Sequence, residues 1–385
     1  MVARTFSTAL FLLFAVTAPA LGLSPEARSA GMGGAYSALS SGAEGIWWNP
    51  ATQGMNLVSV VMGGGLEASN NALGLSRVMG ILSDDATEKE KAVADVRKEG
   101  KWEGLMEAVG GAGLEVWGFG VGVFPRGVVR ADEVSPDAVE YALLGSVPLK
   151  TSYDFSGTYT RSVFTEVSLG YGKQVFEFPG ILISAGAALK YFHGLDYEYL
   201  KTDQKFTVGP YTPVSSTEKR AAKSGKGFGA DVGLHAEAAG IAKASVVLKN
   251  IASKIKWDAD VEKGGFDTST LAFSATSGVD EVSQDVPTVL LLGLGGTVPV
   301  VGTSLVGEIE VDTTNSDTRL RAGLEQKILG IIMPRIGIAT GAAGADPMIT
   351  LGLGVGALLA RVDLAAGIGL DGKGGALGAS GCVAF

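Results

Sequence analysis

Apolar and polar residues alternate with a period of two through much of the C-terminal half, which predicts strands with two unlike faces. In Thr318–Lys327, Leu320, Ala322 and Leu324 share one face, and Arg319, Arg321, Glu325 and Lys327 share the other. In Met348–Leu358, Ile349, Leu351, Leu353, Val355 and Ala357 alternate with Thr350, Gly352, Gly354 and Gly356. Phe228–Ala236 sets its apolar positions against Asp231, His235 and Glu237. Thr303–Val311 does so against Glu308 and Glu310, and Val362–Leu370 against Asp363 and glycines. Charged residues behind an aliphatic stripe suit a polar lumen inside a lipid-facing wall, although a soluble sandwich can show the same alternation.

The links separate the two architectures. Read backwards from Phe385, short connections (359–361, 329–331, 299–302, 238–242) alternate with longer polar ones (371–375, 342–347, 313–317, 258–285, 202–226). Short periplasmic turns alternating with longer outer loops belong to outer-membrane barrels, and a sandwich has no reason to sort its loops so. Fourteen strands are reached by about Leu114, and Leu57–Glu67 would be a fifteenth. Bacterial barrels close with an even number, and Val139–Arg161 is where two short strands can be one. The expectation is an all-β fold, an antiparallel transmembrane β-barrel of about 14 strands spanning residues 57–385.

A helical insert is expected at about 80–110. Asp85–Glu99 has an N-cap at Asp85, Glu88 three residues on, and Gly100 at the C′ position. A second short helix, Trp102–Val109, would stop at Gly110-Gly111. The charges of 85–99 read as a solvated face, so the insert is expected to be an exposed accessory.

The N-terminus sets the compartment. Arg4, the apolar run Ala9–Val16 and the small-x-small site Ala18-Pro19-Ala20 read as a cleaved signal peptide over 1–20, too short to anchor in a membrane. Composition agrees with export to a membrane barrel. Mean hydropathy is +0.28 over 385 residues. Yet after the signal peptide the most apolar stretch, Val286–Gly302, is broken by Pro287, Gly293, Gly295, Gly296 and Pro299, which excludes a membrane helix there. The 57 glycines follow no collagen period. One cysteine, Cys382, excludes an internal disulfide, a dithiol redox pair and a thiolate zinc site. The net charge of −9 comes without a basic cluster, so no nucleic-acid partner is expected.

Catalytic signals are sparse. His193 and His235 have no nucleophile beside them in sequence. Asp258-x-Asp260-x-Glu262 lacks the glycine and terminal glutamate of a calcium loop and reads as part of a solvated outer loop. Gly225-x-Gly227-x-Gly229 opens a strand, where a nucleotide fingerprint would open a helix. No enzyme activity, metal or cofactor is expected.

Residues 27–38 (ARSAGMGGAYSA), followed by Gly42 to Asn49-Pro50-Ala51, resemble the start of the FadL superfamily of outer-membrane barrels, which includes fatty-acid transporters and PorV-type secretion proteins. The likeness is greatest to the branch known as TraF-type conjugative-transfer proteins. It continues through 166–172, 189–191, 229–234, 247–251 and 321–325 to the terminal phenylalanine. The resemblance implies that 21–56 form an N-terminal hatch marked by Gly31, Met32, Gly33, Gly34, Asn49, Pro50 and Ala51. It implies a FadL-like barrel passing hydrophobic or amphipathic small molecules across the outer membrane, or else a non-transporting scaffold for an envelope, secretion or conjugation complex. No ligand-binding residue can be carried over. Gly118, Gly120 and Gly122 mark a place where a strand could kink and open sideways. The expected partners are outer-membrane lipid, a small hydrophobic ligand or an envelope complex, and the barrel-assembly machinery. That machinery would read Val383 and Phe385 at the end of the stripe Leu377, Ala379, Gly381.

Overall fold

The computed structural model describes residues 25–69, 86–149, 152–207, 214–267, 272–314, 316–340, 347–357, 359–370 and 374–385. The signal peptide, Asp85, and most of the 342–347 and 371–375 links lie outside the described residues. Strands dominate the chain. They are β1 (Val58–Ser69), β2 (Trp102–Val116), β3 (Phe119–Val134), β4 (Ser152–Asp154), β5 (Gly157–Phe178), β6 (Ile181–Thr207), β7 (Val214–Ala222), β8 (Gly225–Ala238) and β9 (Ala242–Asp267). They continue as β10 (Ala272–Asp285), β11 (Val289–Val298), β12 (Thr303–Asp312), β13 (Asp317–Gln326), β14 (Ile332–Ala339), β15 (Met348–Ala357), β16 (Ala360–Gly369) and β17 (Gly375–Ala384).

Fourteen of them form a closed antiparallel barrel, as the sequence pattern predicts. The last strand joins the first in an unbroken register from Ser59↔Ala384 to Ala68↔Gly375. The other three, β4, β7 and β10, are not staves: β4 and β7 pair with the far end of β6, and β7 and β10 with the far end of β9. The described residues of 202–226 and 258–285 are thus mostly paired strand that raises the wall, not the loops expected there. Asp258, Asp260 and Glu262 sit on one exposed face of β9, where cross-strand hydrogen bonds satisfy the backbone that a loop would leave to water. Gly225, Gly227 and Gly229 open β8, and Gly225 leaves room for the Trp257 ring.

Alternation sorts the side chains as expected. Leu320, Ile349, Leu351, Leu353, Val355, Phe228, Val232 and Leu234 face outward and exposed, whereas Arg321, Glu325, Glu308, Asp231, His235 and Asp363 are buried inside. The short turns, among them 117–118, 179–180 and 239–241, lie at the same end as Phe385. There the Phe385 N–H donates to the Val58 carbonyl (2.8 Å) and its carbonyl accepts from Leu57 (3.1 Å). Phe385 therefore supplies the last rung of the closing seam. Deleting it should sharply lower the amount of barrel that resists unfolding when unheated on a detergent gel; unchanged amounts would make the terminus incidental.

Among the described residues, three α-helices accompany the wall: α1 (Ala27–Ala30), α2 (Ala86–Glu99) and α3 (Pro136–Leu144). The second helix expected at Trp102–Val109 is instead the start of β2. Helix α3 occupies part of the region read as short strands. Ser135 caps it by accepting from the Ala138 N–H (3.4 Å), Pro136 sits at the first helical position, and Gly145 ends it with φ +72°.

Helix α2 is not a bare accessory. Ala92, Val93 and Val96 are buried, and Val96 packs with Trp102, Met106, Val129, Ala131, Ala138, Val139, Tyr159 and Leu200. Val129 and Ala131 share strand parity with the exposed Val121 and Val123, so α2 and α3 pad the outer face of the wall. Arg97 ties the helices together through Asp137 (3.3 Å) and Glu140. Replacing α2 by a short Gly/Ser link should still give a barrel but lower its stability by about 2–4 kcal/mol, from uncovering two valines and their partners. An unchanged denaturation midpoint would show that the pad carries no stability.

Candidate functional site

Residues 25–56 run inside the barrel and meet its wall on every side. Helix α1 packs on β15, β16 and β17. The 3-10 turn Gly42–Ile46 meets β1, β2 and β3, and the turn Pro50–Thr52 meets β5, β6 and β8. Ser37 reaches β9 and β12, bonding Ser245 (2.8 Å) and donating its N–H to Glu308 (2.9 Å).

The glycine block of the plug lies where two backbones nearly touch. Gly33 has φ +69°, and a Cβ there would come within 2.6 Å of the Ile338 carbonyl oxygen. Its N–H donates to Thr350 Oγ1 (3.0 Å), Met32 is fully buried, and Arg321 donates to the Gly34 carbonyl (3.2 Å). On the wall side, a Cβ at Gly186 would sit 2.3 Å from the Pro50 carbonyl group. At the second block, Asn49 Oδ1 accepts from the Ala51 N–H (3.0 Å), and Nδ2 donates to the Leu234 carbonyl (3.2 Å). Pro50 starts the turn where no N–H is needed. Losing the Asn49 amide should cost about 1–2 kcal/mol, small against a closed ladder, so Asn49→Ala should assemble normally. A barrel that fails to assemble would show that this turn is needed for folding.

A buried charge network clamps the N-terminal half of the plug. Arg28 pairs with Glu325 (2.7 Å) and donates to the Tyr36 hydroxyl (2.6 Å), which donates in turn to Glu44 (2.7 Å). Arg361 joins Glu44 (2.5 Å) to Asp363 (2.6 Å). Arg335, fully buried, bridges Asp363 (2.8 Å) and Glu325 (2.6 Å). Three guanidinium groups thus meet three carboxylates, and every carboxylate touches two partners. Such pairing matters because an unpaired buried ion is costly in a low-dielectric interior.

The other half of the plug is held differently. Trp47 and Trp48 pack against the Lys249 ammonium, 4.8 and 5.7 Å from the ring centres. Nearby, Lys190 pairs with Glu166 (3.1 Å) and Asp231 (2.9 Å). Trp48 Nε1, the Gln53 amide and both His235 ring nitrogens are buried without a protein partner. Toward the long-loop end, Phe164, Phe192, Ile255 and Trp257 form a buried aromatic and aliphatic cluster inside the wall.

The sequence marks the two motif blocks of the plug, and the structure puts both against the wall. It separately marks Arg321, Glu325, Glu308 and Asp363 as inward. What it does not join is Arg28, Tyr36 and Glu44 to β13, β14 and β16. Lys190, Lys249, Trp47 and Trp48 went unmarked; an inward-facing lysine at a strand position is the signal that could have found them. Gly120 and Gly122 do not kink β3, which keeps its pairing with β5 throughout. Both face the lumen, where a Cβ would run into Gln53 at one and into Phe124 and Ile46 at the other.

These features define a plugged fourteen-stranded barrel with a mixed ionic and aromatic lumen. No protein-family profile matches the chain, and no curated protein matches it. Solved structures do. The Pseudomonas putida toluene transporter TodX aligns at 12% identity over 93% of this chain and 97% of that one, with a TM-score of 0.57. The monoaromatic hydrocarbon channel CymD aligns at 13% identity over 97% and 99%, with a TM-score of 0.53. A FadL homologue from Pseudomonas aeruginosa gives 11% identity, 96% and 100%, and 0.52. The chain has the FadL-like barrel fold.

Proposed function

We propose that the protein sits in the outer membrane and passes hydrophobic or amphipathic small molecules through a lumen plugged by residues 25–56. The observation that carries this reading is the asymmetry of the plug. One half is ion-paired to the wall through Arg28 and Glu44, while the half at Trp47–Gln53 carries no charge and buries the Trp48 indole N–H and the Gln53 amide without hydrogen-bond partners among the described residues. Such groups gain by meeting water or a solute when the plug shifts. All three solved structures named above are those of a toluene transporter, a hydrocarbon channel or a FadL homologue.

The rival reading is a scaffold that anchors an envelope or secretion complex through the raised β6–β10 wall, as in the PorV-like and TraF-like proteins that the N-terminal sequence resembles. A tethering experiment separates the two. A disulfide between Asn49→Cys and Gly233→Cys should block uptake of a hydrophobic fluorescent probe until it is reduced, in cells whose barrel is assembled and in the outer-membrane fraction. Uptake unaffected by the tether, with a periplasmic or surface protein co-purifying, would favour the scaffold.

A further inference from the structure

The outward face of β6, β8 and β9 changes character within two residues. Below lie Leu189, Val232, Leu234 and Val246, all exposed and apolar. Strand register then sets Tyr191 opposite Phe228 and Phe228 opposite Lys254. The Tyr191 and Phe228 rings are 5.3 Å apart, and Phe228 is 71% exposed. One row higher, toward the long-loop end, His193 lies opposite Lys226, and Lys226 lies opposite Lys256. All four of His193, Lys226, Lys254 and Lys256 are exposed on the outer face.

Two lysines directly opposite each other on neighbouring strands repel, and a sheet gains nothing from placing them so. Their carboxylates lie to one side: Lys256 reaches Glu281 (2.8 Å) and Lys254 reaches Asp285 (3.1 Å), both on β10. Asp196, the nearest acid on the β6 side, is taken by Lys223 (2.6 Å) and Arg161. Lys226 has no carboxylate partner among the described residues. The two pairs to β10 are solvent-exposed and therefore weak, so an incoming anion can exchange for them.

We propose that the row His193–Lys226–Lys256, with Lys254 beside it, binds the phosphate groups of an outer-leaflet lipid whose chains lie against Tyr191, Phe228 and the leucines below. The proposal rests on the membrane reading given above. Cations placed immediately above an aromatic shelf on a lipid-facing wall match a molecule with a phosphorylated head and apolar tails. A free phosphate would use the cations but not the shelf. The row faces away from the lumen, so it is separate from any path for a transported solute.

The test uses the full-length barrel in phosphatidylcholine nanodiscs containing either diphosphoryl lipid A or its dephosphorylated form, with the retained lipid counted by native mass spectrometry. Wild-type protein should retain the phosphorylated form selectively. The double variant Lys226→Gln/Lys256→Gln should lose roughly twentyfold of that preference, at about fivefold per lysine near a membrane surface. Lys226→Arg/Lys256→Arg should keep it. Equal retention by the glutamine variant, or equal retention of both lipids by the wild type, would overturn the proposal. So would release of the lipid by excess inorganic phosphate, which would mark an adventitious anion site. Each variant is first checked for heat-modifiable migration. If the wild type itself forms no such barrel, the membrane reading fails and this proposal fails with it.

Discussion

Cells carrying the protein without residues 31–51 should become sensitive to small polar antibiotics that the intact protein excludes. The wall does not need the plug for closure, since β17 pairs with β1 along ten positions and each stave bonds its neighbours. What the deletion removes is the material that fills the lumen. It leaves Arg335, Asp363, Arg361 and Glu325 facing an opening, where water can solvate them. An emptied lumen of this width behaves as an aqueous channel, so the rise in polar permeability should be on the order of tenfold. Minimal inhibitory concentrations and liposome swelling both report it. An assembled barrel with unchanged permeability would show that the plug is not the barrier, and the scaffold reading would then replace transport.

Arg335→Ala should produce the largest loss of stability from any single side chain in the clamp. Its guanidinium is fully buried between Asp363 and Glu325, and removing one member of a buried pair costs about 3–5 kcal/mol. Arg361 still faces Asp363 and Arg28 still faces Glu325, so the loss should lie near the low end, about 3 kcal/mol. The loss should fall on the plug before the wall. A cysteine placed at Ala38, a buried plug residue outside the clamp, should become reactive to a water-soluble thiol reagent while the barrel still migrates in its folded form. Loss of barrel migration with no prior labelling would show that plug and wall unfold as one unit.

How much of this the sequence shows depends on what lies behind each strand. From β11 to β17 one face is apolar and exposed and the other meets a charged interior, so the alternation is clean and the strands can be read directly. Trp102–Val109 misleads because both faces of β2 are covered. Trp102 and Met106 point to the helical pad, Val109 to the plug. The resulting spacing of apolar residues at 102, 105, 106 and 109 imitates a helix. In α2 the buried stripe is only Ala92, Val93 and Val96 among many charges, too thin to separate from a solvated face. The raised hairpins were hidden for the opposite reason: β7 and β10 are polar on both faces beyond the belt, and a polar strand in water looks like a loop. The plug motifs are legible because they are local. The clamp is not, since its members lie about three hundred positions apart, Arg28 and Glu325 among them.

That separation fixes an order of assembly. The plug precedes every strand in the chain, yet its partners Glu325, Arg335, Arg361 and Asp363 belong to strands near the other end. Until those strands are in place, Arg28 and Glu44 lack the Glu325 and Arg361 partners that complete their pairing, and their charges are more stable in water. The N-terminal segment therefore has to wait hydrated while the sheet grows. It can dock only once β13 to β16 are in place, near the moment when β17 meets β1. The segment that precedes the strands is the last to settle, and closure of the wall and stoppering of the pore become one late event.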